Sequence, residues 1–461
     1  MMFERLVRGG TVVMVGGSRR ADVAIRDGRI AAVGEDLPNS SAAEVVDASG
    51  LLVLPGVIDA HTHTRIPSDE EPDRFYRDSM AAAFGGTTTF LAFNNPGTGI
   101  SVAAQRTLRA GIAEWRAATQ GESAVDFGLS AVVTAQQETP EADIPAAVDE
   151  GVASFKCFMV YDFGVAEEQL RTLLHTTHQA GGLLAVHGED RALLEAGIAR
   201  ELAAGRSRPR HHADSRPPAV EARGTSRAIA VAAEIDAPIY FVHVSCKAAV
   251  AEIAWARAQG QPVFAETCPQ YLALDESRYA LPDQECITAV ISPPLRSLSD
   301  QAALWTALER GQLDVVASDH VPDRTALEKR WEGQPFTDIS NGAPGIETLL
   351  PIVYGRAVGE GRLAIERVVD LLSTSPARLF GLATKGAIEM GKDADLVLLD
   401  PAAERTIRAA DLHHTSDFTP FEGLTLPGVI RRVMVRGEDV VRGGDFVGRR
   451  GRGRYVARAL S

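Results

Sequence analysis

Six side chains between positions 61 and 319 are placed where they could do chemistry together. In "GVIDAHTHTR", residues 56 to 65, an apolar run ends on His61 and His63. Residues two apart on a strand share a face, so both imidazoles point the same way. That arrangement suits a metal, and it also suits two hydrogen-bonded core imidazoles; the pair alone does not decide. Four more such groups end similar runs: Lys156 in "SFKCF", His187 in "LLAVHGED", His243 in "YFVHVS" and Asp319 in "VVASDH". Five conventional ligands exceed the usual three of an open catalytic zinc. They fit two metals ~3.5–4 Å apart, provided an anion bridges them. An ammonium cannot be that anion, because it has no lone pair. A lysine that has taken up carbon dioxide can, since its carbamate is a carboxylate on a long stem. Two divalent cations would then face the carbamate, Asp319 and a bridging hydroxide, which leaves a mildly electrophilic centre.

Composition adds weight to Lys156. Only five of the 47 basic residues are lysines, and Lys156 is the only one before Lys247. Where arginine is the rule, a retained lysine points to a need for an amine. Lys329 and Lys392 read instead as survivors of a composition bias. The remaining histidines read as structural. His175 and His178 fit a helix surface, and His211–His212 and His413–His414 fall in polar loops. His320 should face away from Asp319 across the strand.

The elements that must position these groups are legible as apolar runs. Strands are expected at 52–59, 87–93, 126–133, 152–158, 183–188, 238–244, 262–267 and 313–318, separated by helical patterns such as "EEQLRTLLHTTHQA". Eight apolar strands, each followed by a helix, describe a (β/α)8 TIM barrel. Catalytic groups of such barrels sit at the C-terminal strand ends, where the six residues fall. The first 50 residues and 386–445 have another texture, near-alternating with glycine turns, and suggest one small β-sandwich built from both chain ends. The expected division is a discontinuous β domain over 1–53 and 385–445, a barrel over 54–384 and a tail over 446–461.

Bulk properties exclude several classes. A formal charge of −14 argues against nucleic acid or an anionic membrane as partner. No apolar stretch approaches the ~20 residues that span a bilayer, and "MMFERLVRGG" lacks a signal-peptide core. The four cysteines are scattered without a CxxC pair, as reduced thiols of a cytoplasmic protein would be.

Taken together, HxH, the strand-four lysine, two further histidines and a late aspartate resemble the cyclic amidohydrolases: dihydropyrimidinase, hydantoinase, allantoinase and dihydroorotase. "PGVIDAHTH", "SFKCFMVY", "VHVSCKAA", "ETCPQYL", "SPPLR" and "NGAPGIETLLP" resemble the hydantoinase–dihydropyrimidinase branch in particular. The resemblance implies one metal on His61, His63 and Asp319 and another on His187 and His243, both zinc, bridged by N6-carboxylated Lys156. It implies that Tyr161 hydrogen-bonds the carbonyl oxygen under attack, and that Ser292 and Asn341 grip the amide edge of the ring. It further implies that Asp319 moves the water's proton to the leaving nitrogen, giving an N-carbamoyl amino acid, and that the chain forms a homotetramer or homodimer.

One stretch departs from that branch. The loop after HxH reads "TRIPSDEEPDRFYRDSM", crowded with charge where apolar residues usually receive the ring substituent. HxHxRxP instead resembles dihydroorotase, where such an arginine binds a substrate carboxylate with help from an asparagine near Asn95. Arg65 and Asn95 are thus candidate substrate contacts, and Asp69, Glu70 or Glu71 are alternative partners for Arg65. Allantoinase- or dihydroorotase-like activity on a ureido or carboxylated ring is the alternative enzyme reading. A non-catalytic scaffold is a third, which the intact ligand set disfavours. The arginine-rich tail is expected in solvent or on a neighbouring subunit.

Overall fold

A computed structural model describes residues 2–460. Eight parallel strands form the central sheet: β1 (Val57–Thr62), β2 (Thr87–Phe93), β3 (Asp126–Val132), β4 (Ser154–Phe158), β5 (Leu183–His187), β6 (Ile239–Phe241), β7 (Val263–Thr267) and β8 (Val315–Val316). They neighbour one another in chain order. The sheet closes through a bridge between Thr62 and His320, reinforced by Asp59 Oδ1 accepting from the Ser318 amide at 3.0 Å. Every residue of β1 to β5 is buried, because helices cover the outside and side chains fill the inside. The interior layer includes Ala60, Leu91, Ala185, Tyr240, Val242 and Ala317, and Phe380 packs against it. This is the (β/α)8 barrel that the run of apolar strands implied.

The chain ends meet in one nine-stranded mixed sheet. Its seam pairs Leu52–Pro55 antiparallel to Leu396–Thr406, and Phe3–Met14 runs parallel to Leu52–Pro55 on the other side. The expected strand 52–59 is therefore two strands in two sheets, split at Gly56. A Cβ at Gly56 would lie 2.0 Å from Thr88 Oγ1, so only glycine lets the chain cross there. Pairing in the terminal sheet extends to Pro55 on the first segment and to Phe446 on the last.

The tail departs from expectation. It returns to its own barrel: the Phe127 amide donates to Arg454 at 3.0 Å, and the Val456 amide donates to Phe127 at 2.8 Å. Arg458 is buried, and its guanidinium donates to Ser154 Oγ at 3.0 Å, to the Phe380 carbonyl at 3.2 Å and to the Leu129 carbonyl. An arginine in a tail reads as solvated, yet here two guanidinium nitrogens bond a hydroxyl and two carbonyls at the barrel's edge.

Barrel and sheet are joined by a buried ammonium. Lys385 Nζ lies 2.7 Å from Asp126 Oδ2 on β3, 2.7 Å from Asp395 Oδ2 and 3.1 Å from Asp393 Oδ2. These three aspartates are grouped closely enough to hold a cation, and the lysine is that cation. Removing it would strand carboxylates in a buried setting. Lys385→Met is expected to lower unfolding free energy by about 3–5 kcal/mol in chemical denaturation. An unchanged denaturation midpoint would show that the cluster contributes no net linkage.

Candidate metal centre and substrate cleft

All six candidate groups converge at the C-terminal mouth of the barrel. His61 and Lys156 lie on β1 and β4, His187 ends β5, and His63, His243 and Asp319 lie one, two and three residues beyond the ends of β1, β6 and β8. His61 Nε2 is 3.2 Å from His63 Nε2, 2.9 Å from Asp319 Oδ1 and 2.9 Å from Lys156 Nζ. His63 Nε2 is 3.3 Å from the same Asp319 oxygen. On the other side of the mouth, His187 Nδ1 and His243 Nε2 face each other at 2.9 Å. Six groups packed this closely, largely out of solvent, suit cations: four imidazoles and a carboxylate converge there with Lys156 Nζ as the one cationic group among the six. The donor set fits two divalent ions, and His61, His63 and Asp319 alone form a cluster able to hold one.

Burial lowers three of the four imidazoles, His63, His187 and His243, toward the neutral form, whereas, against burial and Lys156, Asp319 and Glu266 hold His61 above the usual imidazole range. Burial and Lys156 push His63 down to about 4, and burial with His187 holds His243 well below the usual imidazole range. Although burial opposes it, His61 and His63 keep Asp319 well below the usual carboxylate range, so it stays anionic. Burial also pushes the Lys156 amine down to about 8, against the attraction of Asp319 and Glu266. A larger fraction of that amine is consequently unprotonated near neutral pH than for a free lysine.

The backbone is strained at this mouth. Tyr161, His243 and Asp319 adopt positive φ angles of 69°, 42° and 51°. Residues with a Cβ avoid this region unless surrounding structure imposes it, and such positions concentrate at functional sites. His320, next to Asp319, faces outward as expected, with Nδ1 accepting from the Gly345 amide at 3.1 Å.

Several supporting residues escaped the sequence reading. Glu266 on β7 hydrogen-bonds His61 Nδ1 and accepts from Tyr240 Oη at 2.8 Å. Glu189 Oε2 lies 2.7 Å from His187 Nε2 and 2.7 Å from an Arg216 nitrogen, and the Arg216 guanidinium sits 5.9 Å from the centre of the Tyr161 ring. These contacts leave His61 Nε2 and His187 Nδ1 as the nitrogens turned to the centre. A signal existed for Glu189, two residues beyond His187 and so on the same side of an extended chain; Glu266 had none without the fold. Asn95, read as a substrate contact, lies with Oδ1 2.6 Å from His63 Nδ1 and orients that ring.

Above the ligands is a cleft of about 240 Å³, lined among others by Tyr161, Phe158, Phe163, Ser292, Asn341 and Asn95. That is smaller than the roughly 300–1,000 Å³ usual for drug-sized ligands, and it suits a small ring with a short substituent. Ser292 Oγ is buried with no hydrogen-bond partner among the described residues. Lys329, assigned from sequence to composition bias, is fully buried. Its Nζ donates to Val290 O at 2.5 Å and Ser340 O at 2.8 Å, which pins together the two segments carrying Ser292 and Asn341. Arg65 also lines the cleft, but its partners are Asp323 at 2.7 Å and Glu328 at 2.6 Å, not Asp69, Glu70 or Glu71.

If Glu266 sets the orientation of His61, Glu266→Gln should weaken metal retention by roughly 10–100-fold. Titration of the variant with a competing chelator measures this, and wild-type retention would contradict it.

Comparison with known proteins places this geometry. The chain is 39% identical to D-hydantoinase of Streptomyces coelicolor, over 100% of this chain and 99% of that protein. It is 39% identical to D-hydantoinase of Geobacillus stearothermophilus, over 99% and 96%. The crystal structure of dihydropyrimidinase from Brevibacillus agri superposes with a TM-score of 0.93 at 40% identity, covering 99% of this chain and 98% of that one. The sequence profile of the amidohydrolase family matches residues 52–440, and this chain belongs to that family.

Proposed function

We propose that the protein is a cyclic amidohydrolase that opens hydantoin- or dihydropyrimidine-type rings to N-carbamoyl amino acids. The observation that carries this reading is the convergence of His61, His63, Lys156, His187, His243 and Asp319 beneath a cleft for a small ring. Full-length similarity to proteins named D-hydantoinase supports the same substrate class. His61, His63 and Asp319 would hold one divalent ion, His187 and His243 the other, with zinc as the proposed metal. Lys156 would join them after its neutral amine adds to carbon dioxide, losing one proton to become an anionic carbamate. Its partial neutrality when buried favours that addition. When bound, the ions supply Lewis acidity to a water and to the ring carbonyl.

The chain's own groups do the rest. Ser292 and Asn341 hold the amide edge of the ring, and Tyr161 donates its hydroxyl hydrogen to the carbonyl oxygen as negative charge develops there. Asp319 accepts a proton from the attacking water and delivers it to the ring nitrogen as the C–N bond breaks. The new C–O bond and the protonated nitrogen complete the hydrolysis. Arg65's bonds to Asp323 and Glu328 count against a dihydroorotase-like reading, in which its guanidinium would receive a substrate carboxylate. Among the described residues, no helix is long and apolar enough to cross a membrane. A cytoplasmic homotetramer or homodimer completes the proposal; Trp255 and Leu298, 61% and 65% exposed, offer apolar surface to a second copy.

Zinc- and bicarbonate-loaded protein should hydrolyse hydantoin or dihydrouracil, lose activity to a chelator and regain it with zinc. Tyr161→Phe should lower kcat by about 10²–10³ with a smaller change in KM. Loaded protein that opens neither ring would overturn the proposal.

A further inference from the structure

We propose that Asp323, fixed by Arg65, selects ring substrates whose substituent carries a neutral N–H donor, such as a ureido or carboxamide group. This rests on the ring-hydrolase reading above. Asp323 lies four residues beyond Asp319, lines the cleft and is fully buried. One carboxylate oxygen, Oδ1, accepts from Arg65 at 2.7 Å; the other, Oδ2, has no hydrogen-bond partner among the described residues. Its main chain is held as well, because its amide donates to Val321 O at 2.9 Å and its carbonyl accepts from Ser416 Oγ. The acid therefore sits at the wall of the cleft with half of its acceptor capacity unused, an arrangement that buried carboxylates avoid unless a donor arrives.

The surrounding charges decide which donor. Arg65 is already matched: a second nitrogen donates to Glu328 at 2.6 Å and to Pro322 O at 3.2 Å. A substrate carboxylate would meet two resident carboxylates and a guanidinium that is not free. An apolar substituent would cover Asp323 Oδ2 without pairing it, and sites that present a buried polar group discriminate strongly against ligands lacking its complement. A cationic substituent gains less than its charge suggests, because the Arg65 guanidinium already pairs with the acid. A neutral N–H satisfies Oδ2 without adding charge. Phe158, Phe163 and Pro96 also line the cleft and offer the ring apolar surface.

The experiment uses the zinc-loaded enzyme with unsubstituted hydantoin and three substituted hydantoins of similar size, the 5-acetamide, the 5-acetate and the 5-isobutyl compounds, together with 5-ureidohydantoin. The acetamide and ureido rings should show kcat/KM on the order of tenfold or more above the acetate and isobutyl rings. In Asp323→Ala that ratio should collapse, and the acetate ring should gain relative to the acetamide because Arg65 has lost one partner. Equal or reversed preference in the wild type overturns the inference, as does a ratio kept in Asp323→Ala. The wild-type ranking alone is decisive if that variant does not fold. An enzyme inert toward every ring, unsubstituted hydantoin included, overturns the hydrolase reading itself.

Discussion

Lone pairs and a carboxylate crowded into a space with little water repel one another unless positive charge lies among them. His61, His63 and Asp319 bring three donor atoms within 3.3 Å, and His187 and His243 bring two more within 2.9 Å. Isolated, such a cluster would be costly to bury. Much of the surrounding structure makes sense as the means of holding it together. The barrel supplies rigid strand ends, and the strained conformations of Tyr161, His243 and Asp319 turn their side chains to the mouth. Strain of this kind, of order 1–3 kcal/mol per residue, persists only where packing overrules it.

Behind these groups, polar partners give three of the four imidazoles one orientation, while His243 Nδ1 has no hydrogen-bond partner among the described residues. Glu266 receives His61, Asn95 receives His63, and Glu189 receives His187 while paired to Arg216. The same logic recurs away from the mouth. Lys329 ties together the segments bearing Ser292 and Asn341, Arg65 ties the rim at Asp323 and Glu328, and Lys385 ties the barrel to the terminal sheet. Three of the five lysines are thus fully buried, each placed where a compact ammonium or a free amine fits and a planar guanidinium would not.

The barrel was readable because buried parallel strands leave short apolar runs, and the six groups that converge at the mouth all fall at or just beyond the C-terminal ends of those runs. What could not be read depends on partners distant in sequence. Arg65 lies 258 residues from Asp323, and a charged loop beside it offered nearer acids that it does not use. Arg458 looked solvated because arginine usually is, whereas its setting depends on carbonyls of β3 and on Phe380. Lys329 looked incidental because nothing in its neighbours announces two carbonyls waiting for an amine. His212 and His414, placed in polar loops, are both buried; His212 instead lies on the short helix His211–Ser215, with Nε2 2.7 Å from Ile291 O. The break at Gly56 was hidden inside a continuous apolar run, since both sheets demand the same residue types there.

Anomalous diffraction from crystals grown with zinc and bicarbonate interrogates the centre most directly. The account predicts two zinc peaks at the barrel mouth, one against His61, His63 and Asp319 and one against His187 and His243, with electron density extending beyond Lys156 Nζ into a group that touches both. A single peak, or a bare amine at position 156 beside two separate ions, would contradict it.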